Sequence, residues 1–491
     1  MVAASLPPAF RARMRALLGG EAEELFAALE EPREPAVRLN ALRGDPGRLA
    51  ALLPWPRAPV PWCPAGRLVN AASASVADHP LNDAGVYYQQ DPAAMAAAEA
   101  LDPRPGELVV DLAAAPGGKA THLAALAGDA ALVVANDVDA RRARALLSNV
   151  ERLGVTGAAV TSSAPGRFAG ALGGACDAVL LDAPCSGEGM FRRSAAARAA
   201  WSEAGVGRHA ELQRRLIAAA ADLLRPGGRL VYSTCTFDPR ENEEVVLWLL
   251  ARRPDLELEP LDLAGAEDAA RFGLPGAARL WPHRAVGDGH FVARLRRYEG
   301  APAGPGARRP GDGREGSRVR GAARRGRLVE GAPDDATQDA WASFAAERLT
   351  PEWRERASGG RLARFGERLL LLPEGFAPLP GVHVLRAGLH VADARSAGGR
   401  VELTPAHALA MAAGFAERGW AGPRLEVGGD DASLAAFLEG GALAAPGVPD
   451  GQALVTWRGF ALGWADCRRG SARSLLPRGL RRKTRAAHAL G

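Results

Sequence analysis

From Gly106 onward, short apolar runs alternate with segments whose apolar positions recur every three to four residues. The strand-like runs are Glu107–Leu112, Ala131–Asn136, Asp177–Leu181 and Arg229–Ser233. Between and after them come helical patterns at Lys119–Leu126, Asp139–Leu153, His209–Leu224 and Arg240–Ala251. This order predicts a doubly wound α/β sheet, because each helix-length segment can carry the chain back over a parallel sheet. A further run, His290 to Arg297, is expected to add an antiparallel edge, with this domain spanning 79–299.

The flanks carry different patterns. Helical periodicity at Phe10 to Leu18 and Ala22 to Leu29, an extended piece from Val37 to Asn40 and a proline-rich stretch from Leu53 to Pro64 predict a small α+β domain over 1–78. The segment from His79 leads into a helix from Pro92 to about Leu101, with proline acceptable in the first turn, and is expected beside the catalytic rim. Residues 300–335 are rich in Gly, Pro and Ala and carry arginines from Arg308 to Arg327, the composition of a basic linker able to touch phosphates. Beyond it, 336–420 reads as one domain, with helices at Asp339–Leu349 and Thr404–Gly414 and a strand at Arg368–Pro373. Residues 421–491 read as another, with strands at Leu454–Trp457 and Phe460–Asp466 and a basic tail through Arg485.

At 491 residues and 47% hydrophobic content the chain can bury several cores. Cys63, Cys176, Cys185, Cys235 and Cys467 have neither metal-finger spacing nor a paired framework, which favours reduced thiols in a cytoplasmic setting and no metal. No apolar stretch is long enough to span a bilayer, and the start lacks an export pattern. The net charge of +5 is compatible with a polyanionic partner. Lys119 and Lys483 are the only lysines among 61 basic residues, so a lysine in the loop Pro116-Gly-Gly-Lys119 suggests that a compact, flexible ammonium is needed there.

Two of the cysteines directly follow strand-like runs, Cys185 in Asp182-Ala-Pro-Cys185 and Cys235 in Ser233-Thr-Cys235, so that a parallel sheet brings both to one rim. The loop Asp111-Leu112-Ala113-Ala114-Ala115-Pro116-Gly117-Gly118-Lys119 joins a strand to a helix. Its small residues allow a ligand to lie against backbone amides at a helix start, although it lacks the dinucleotide glycine pattern. Asp137, after the next strand, stands where a carboxylate can accept both hydroxyls of a ribose, which together with the loop favours an adenosine-containing cofactor.

The motifs Asp111 to Lys119, Leu181-Asp-Ala-Pro-Cys-Ser-Gly-Glu-Gly-Met190, Tyr232-Ser-Thr-Cys-Thr-Phe237 and Glu241-Asn-Glu243, in this order, resemble those of the NOL1/NOP2/Sun family of S-adenosylmethionine-dependent RNA 5-methylcytosine methyltransferases. Tyr87 to Pro92, Arg279 to Arg284 and Gly287 to Phe291 extend the likeness over most of 79–297. Pro7 to Met14, Leu370 to Gly375 and Leu475 to Leu480 resemble the bacterial ribosomal-RNA branch. That branch implies a Rossmann-like class I methyltransferase core between an N-terminal RNA-contacting domain and a C-terminal α+β region ending in a PUA-like module.

The resemblance implies that Cys235 attacks carbon 6 of cytosine and that Cys185 assists removal of the carbon-5 proton and release. Asp182 is expected at the cytosine edge, at the methyl donor, or at both, and Lys119 holds the base or neighbouring charges in register. Ala113, Ala114, Ala115, Pro116, Gly117, Gly118, Lys119, Asp137 and Asp182 are the expected cofactor contacts. Small-subunit (16S) ribosomal RNA is the expected partner, with no membrane and no obligate protein partner. The alternatives are a transfer-RNA methyltransferase and a catalytically silent RNA-binding assembly factor. Arg192, Arg193, Arg284 and the terminal basic cluster are candidate phosphate contacts. The chain departs from the family pattern at Ala120 and Arg240, and Ser162 to Pro165 lacks an aspartate that some relatives place near the adenine.

Overall fold

The computed structural model describes residues 5–32, 35–55, 57–70, 72–301, 331–398, 400–413, 419–428 and 431–482. The basic linker arginines from Arg308 to Arg327 and the tail beyond Arg482, including Lys483, lie outside the described residues, as does Gly414.

Five parallel strands form the centre of a ten-stranded sheet, running Leu224–Thr234, Cys176–Asp182, Leu108–Asp111, Leu132–Asn136 and Ala158–Thr161 across it. The chain's first core strand, Leu108–Asp111, thus lies between the second and the fourth. The order reverses there, which opens a crevice at the carboxyl ends of the strands. Residues alternate faces along each strand. Val109, Val133 and Leu180 pack with the helices Pro92–Leu101, Gly118–Leu126 and Ala140–Arg152, while Val110, Val134 and Leu181 pack with Glu203–Ala221 and Glu243–Leu250. Pro92–Leu101 is alanine-rich. Ala93, Ala96, Ala97 and Ala100 are buried, the small side chains let the helix sit close to the sheet, and Asp91 caps it by accepting the Ala93 N–H at 3.0 Å.

His290–Arg297 pairs antiparallel with Leu224–Thr234 as expected, but it is not an edge, because Ala278–Leu280 and Leu256–Glu259 both pair with it. At the opposite side Val384–Ala387, far downstream in sequence, pairs with Ala158–Thr161 and completes the sheet. The periodicity within 79–299 could not reveal this strand. Tyr87–Gln89 pairs with Ala36–Leu39 in a four-stranded antiparallel sheet with Arg57–Val60 and Cys63–Val69, and Tyr88 and Gln90 close on Gly118, so the segment lies beside the rim as expected. A boundary at residue 78 therefore runs through this sheet.

Downstream, Leu362–Phe365, Arg368–Leu371, Leu389–Ala397 and Arg400–Pro405 form one antiparallel sheet. Arg424–Glu426, Gly451–Trp457, Phe460–Arg468, Ser471–Ser474 and Ala442–Ala444 form a five-stranded one. The expected helices appear as Asp335–Arg348 and His407–Ala413. Among the described residues no helix is long and apolar enough to cross a membrane.

Candidate active site

Register brings the two cysteines together. Leu181 and Asp182 lie opposite Tyr232 and Ser233 on adjacent parallel strands, so the loops that follow leave the sheet side by side. The sulphurs of Cys185 and Cys235 are 3.4 Å apart; both are free thiols and neither is fully buried. Ser186 Oγ and Thr236 Oγ1, one residue further along each loop, meet at 2.7 Å. Gly189 donates its N–H to the Cys235 carbonyl at 2.9 Å. A Cβ at this position would stand 2.7 Å from the Asp288 carbonyl oxygen and 3.1 Å from that of Cys235, so only glycine fits.

Lys119 and Asp182 form an ion pair of 2.7 Å beside the thiols, their side chains 13% and 29% exposed. Asp182 also accepts Ser233 Oγ at 2.8 Å and has His290 Nε2 at 3.4 Å. Burial would raise the Asp182 pKa, but Lys119 and His290 together hold it well below the usual carboxylate range. Burial alone would lower the Lys119 pKa. Asp182, with Cys235 and Asp111 adding, raises it instead.

Across the crevice lies the loop after Leu108–Asp111. Its carbonyls are tied from behind: Ala115 accepts from Arg142 at 2.9 Å, Pro116 from Asn149 at 2.9 Å, Gly117 from Thr121 at 2.6 Å, and Gly118 from Arg38. Gly117 has φ near +114°, a conformation open to glycine. Ala114 and Ala115 are buried in the core, Ala113 and Gly118 are half-buried, and Pro116 is exposed. Asp111 is sealed; Oδ1 accepts the Ala113 N–H at 3.3 Å, and Oδ2 has no hydrogen-bond partner among the described residues. Burial, followed by repulsion from Asp182, pushes the Asp111 carboxyl up to about 7. Asp137 is buried at 2% exposure; it accepts the Asp139 N–H at 2.9 Å and pairs with Arg142 at 3.2 Å. An unsatisfied carboxylate oxygen, a second acid across the crevice and a tied loop of small residues fit a ligand bearing hydroxyl and ammonium donors, as S-adenosylmethionine does.

Other expectations fare differently. Arg192 and Arg193 are engaged with Asp288, Arg193 at 2.6 Å, and Arg284 with Glu21 and Glu267, so these three serve internal ion pairs. Ala120 is core, and Arg240 pairs with Asp238 at 2.6 Å and Glu203 at 2.7 Å. Where the aspartate is missing, Ser163 donates its N–H to Asn136 Oδ1 at 3.0 Å, and Ser162 donates to the His383 carbonyl at 2.8 Å.

Several groups escaped the sequence reading. His290 was noted only as part of a motif, and the acid ending the Leu108–Asp111 run was the one available signal for Asp111. Glu188 is sealed among Arg13, Trp201 Nε1 at 3.0 Å and the Phe237 N–H at 3.0 Å, which fastens the first helix, Pro8–Leu18, behind the Cys235 loop. Beneath the glycine loop, donor atoms of Cys63, Glu99 and His122 lie within 4.8 Å of one another, with Glu99 3.1 Å from His122 Nε2. Burial and then the adjacent Arg38 push the His122 imidazole down to about 4. Cationic surroundings oppose a metal ion there, and the cluster is read as a hydrogen-bonded knot.

Comparisons with known proteins agree with this architecture. Residues 98–296 match the family described as 16S rRNA methyltransferase RsmB/F. Residues 6–92 match the N-terminal domain of 16S rRNA methyltransferase RsmF, 343–412 its first C-terminal domain, and 424–482 its PUA domain. Ribosomal RNA small subunit methyltransferase F of Klebsiella pneumoniae (strain 342) is 40% identical over 308 residues, 59% of this chain and 63% of the relative. The protein of the same description from Erwinia tasmaniensis is 38% identical, over 61% of this chain and 65% of its own length. The chain thus spans less than two thirds of the length of these curated relatives. A solved methyltransferase homologue from Pyrococcus horikoshii is 34% identical with a TM-score of 0.53, covering 59% of this chain and 94% of that one. NSun6 of the same organism, solved with SFG, shares the fold at 23% identity and a TM-score of 0.54, over 60% of this chain and 99% of its own.

Proposed function

The chain belongs to the RsmB/F branch of the NOL1/NOP2/Sun methyltransferase family, and from that premise we propose that it methylates carbon 5 of cytosine in RNA, with small-subunit (16S) ribosomal RNA as the substrate. The observation that carries this reading is the pair of free sulphurs 3.4 Å apart beside the Lys119–Asp182 ion pair. S-adenosylmethionine, when bound, supplies an electrophilic methyl group. Asp111, Asp137, Asp182 and the Ala113 to Lys119 loop would hold it.

Carbon 5 of cytosine is a weak nucleophile until a thiolate adds to carbon 6. Cys235 forms that bond, and the ionised Asp182 accepts from the base edge and stabilises cytosine protonated there, the form whose ring takes up the sulphur's electron pair more readily. Lys119 holds Asp182 ionised and places positive charge beside the attacking sulphur. For release, the thiolate of Cys185 takes the carbon-5 proton, the 5,6 double bond re-forms, and the sulphur–carbon bond breaks with its electron pair returning to Cys235. The target cytosine must be unpaired or flipped out of its stack to present carbon 6. The flanking modules at 6–92 and 424–482 fit the RNA-contacting roles, and the reading includes a cytoplasmic setting.

Methyl-labelled donor tests the proposal. Label should enter cytosine of small-subunit RNA or its ribonucleoprotein and not transfer RNA. Cys235→Ala should abolish transfer, and Cys185→Ala should accumulate an RNA–protein adduct stable to denaturant. Transfer undiminished in Cys235→Ala would refute the mechanism, and preferential labelling of transfer RNA would refute the substrate.

A further inference from the structure

Glu241 lies behind the Cys185 loop and is wholly buried. Its Oε2 accepts the Ser186 N–H at 2.9 Å and Gln213 Nε2 at 2.8 Å. Gln213 also donates to the Pro184 carbonyl at 3.0 Å, so the linked Gln213 and Glu241 side chains hold the two neighbours of Cys185, one each. The Tyr232 hydroxyl donates to the Glu241 main-chain oxygen at 2.5 Å. Glu241 Oε1 has no hydrogen-bond partner among the described residues. Anchoring alone does not need a charge here, since a glutamine carbonyl would accept the same N–H. A buried carboxylate with an unsatisfied oxygen is costly, so its charge calls for a use.

Two sulphurs 3.4 Å apart do not readily carry two negative charges, so once one of them ionises the remaining proton serves both. Its location follows the surrounding field. The Cys185 thiol is pushed up first by its hydrogen bond with Cys235 and by burial, then by the negative charges of Glu241 and Asp182, while Lys119 interacts with Cys235. We propose that Glu241 is a positioning residue that anchors the Cys185 loop and by its charge keeps the shared proton on Cys185, leaving Cys235 as the attacking sulphur. The inference rests on the division of roles proposed above and names the group that enforces it. Once Cys235 is bonded to carbon 6 its sulphur carries no charge, so Cys185, which is not fully buried, can release its proton to solvent without setting two anions against each other, and the thiolate so formed takes the carbon-5 proton. The carboxylate therefore orders the two steps, attack by one sulphur and then proton removal by the other.

The test needs neither RNA nor methyl donor. The full chain is alkylated with iodoacetamide at pH 7.5, and the rates at Cys235 and Cys185 are read by peptide mass spectrometry. The buried Cys63, Cys176 and Cys467 serve as internal references. Glu241→Gln should lower the Cys235-to-Cys185 ratio by about fivefold or more, since one unit of pKa is a tenfold change in proton distribution. Glu241→Asp, which keeps the charge, should retain the preference. A Glu241→Gln protein that melts normally and keeps the ratio within about twofold overturns the proposal, as does equal loss in both variants, which would make packing the cause.

If Glu241→Gln does not fold, the wild-type protein carries the test. Burial pushes the Glu241 carboxyl up to about 7, so the preference for Cys235 should fall between pH 8.5 and 6 as that group takes up a proton. The other titratable groups around the pair and Glu241 include Asp182, Lys119, His290 and Asp111 at the strand ends, Glu188, itself paired with Arg13, beside Glu241, and His209 of Glu203–Ala221, which contacts the Pro184 backbone and whose pKa burial lowers. A flat ratio overturns the proposal. Absence of methyl transfer by the wild-type chain would sink the proposed function and leave the alkylation result standing, so the two failures are distinguishable.

Discussion

Arg279→Met removes one half of the most completely sealed ion pair near the site. The guanidinium donates to both carboxylate oxygens of Glu243 at 2.6 Å, with side chains 2% and 1% exposed. A third donor reaches the Phe237 carbonyl at 2.9 Å, and the group lies 4.2 Å from the Phe272 ring centroid. Phe237 is two residues beyond Cys235, and Glu243 opens the helix Glu243–Leu250, so this contact fixes where the Cys235 loop lands. Methionine fills most of the volume but leaves Glu243 uncompensated, and breaking a buried pair in this way costs about 3–5 kcal/mol. Double substitution with Glu243→Leu should recover much of that loss, because a matched apolar pair leaves no stranded charge. The Glu243 carboxyl is raised by burial even with Arg279 present, and removal of the cation raises it further. An acid whose folded pKa is raised keeps its proton in the folded state after the unfolded chain has lost it, so stability falls as pH climbs above roughly 4 through the folded value. The gap between variant and wild type should therefore widen with rising pH. Denaturant unfolding of the single and double variants at pH 5.5 and 8 measures all three quantities. A single-variant cost under about 1 kcal/mol, a gap that narrows with pH, or a double variant no more stable than Arg279→Met would refute the reasoning.

Lys119→Met should reduce methyl transfer about 100-fold or more, the scale seen when a preorganised electrostatic contact is lost, and should slow alkylation of Cys235; an unchanged alkylation rate would separate the ammonium from the thiol. Asp137→Ala should weaken S-adenosylmethionine binding in calorimetry by about tenfold or more, since hydrogen bonds to charged groups are worth roughly 1.5–3 kcal/mol, and undiminished affinity would remove Asp137 from the donor site. Gly189→Ala places a methyl group against two backbone carbonyls that have little room to yield, and should cost about 1–3 kcal/mol and displace the Cys235 loop. A Gly189→Ala protein with wild-type melting and adduct formation would contradict that packing.

The doubly wound core was legible because each buried strand reads as a continuous apolar run and each covering helix shows its own period. Asp182 and the two cysteines were legible because they terminate such runs, and strand ends in a parallel sheet share one rim. What pairs over long sequence distance was not legible. Val384–Ala387 has too few residues to declare which sheet it joins, and Tyr87–Gln89 pairs with Ala36–Leu39 across the intervening hairpin, a partner its own three residues do not announce. The partners of charged residues were hidden for the same reason. Arg192, Arg193 and Arg284 look like a basic surface in sequence, yet their carboxylates come from Asp288, Glu21 and Glu267, which only the folded chain brings near.

The flanking modules share a core that constrains how RNA binding can be dissected. Val37, Leu39, Val69, Leu81 and Tyr87 of the N-terminal sheet region pack in one cluster with Leu425, Phe437, Val455, Phe460 and Leu462. His79, itself edge-on to Trp55 at 5.1 Å between ring centroids, meets Trp457 at 6.0 Å across the junction, and Arg482 pairs with Asp83. Removing 424–482 would expose the apolar face of the N-terminal sheet, whose fourth strand, Tyr87–Gln89, leads directly into the capped helix Pro92–Leu101 under the active site. Loss of activity on truncation would then report a disturbed N-terminal sheet and cannot be credited to lost RNA contact alone. Charge reversal at exposed arginines of the five-stranded sheet, such as Arg473→Glu, leaves the shared core intact. It should weaken RNA binding and reduce its salt dependence without changing the melting temperature. If that variant binds RNA with the wild-type salt slope, this edge of the module does not touch phosphate.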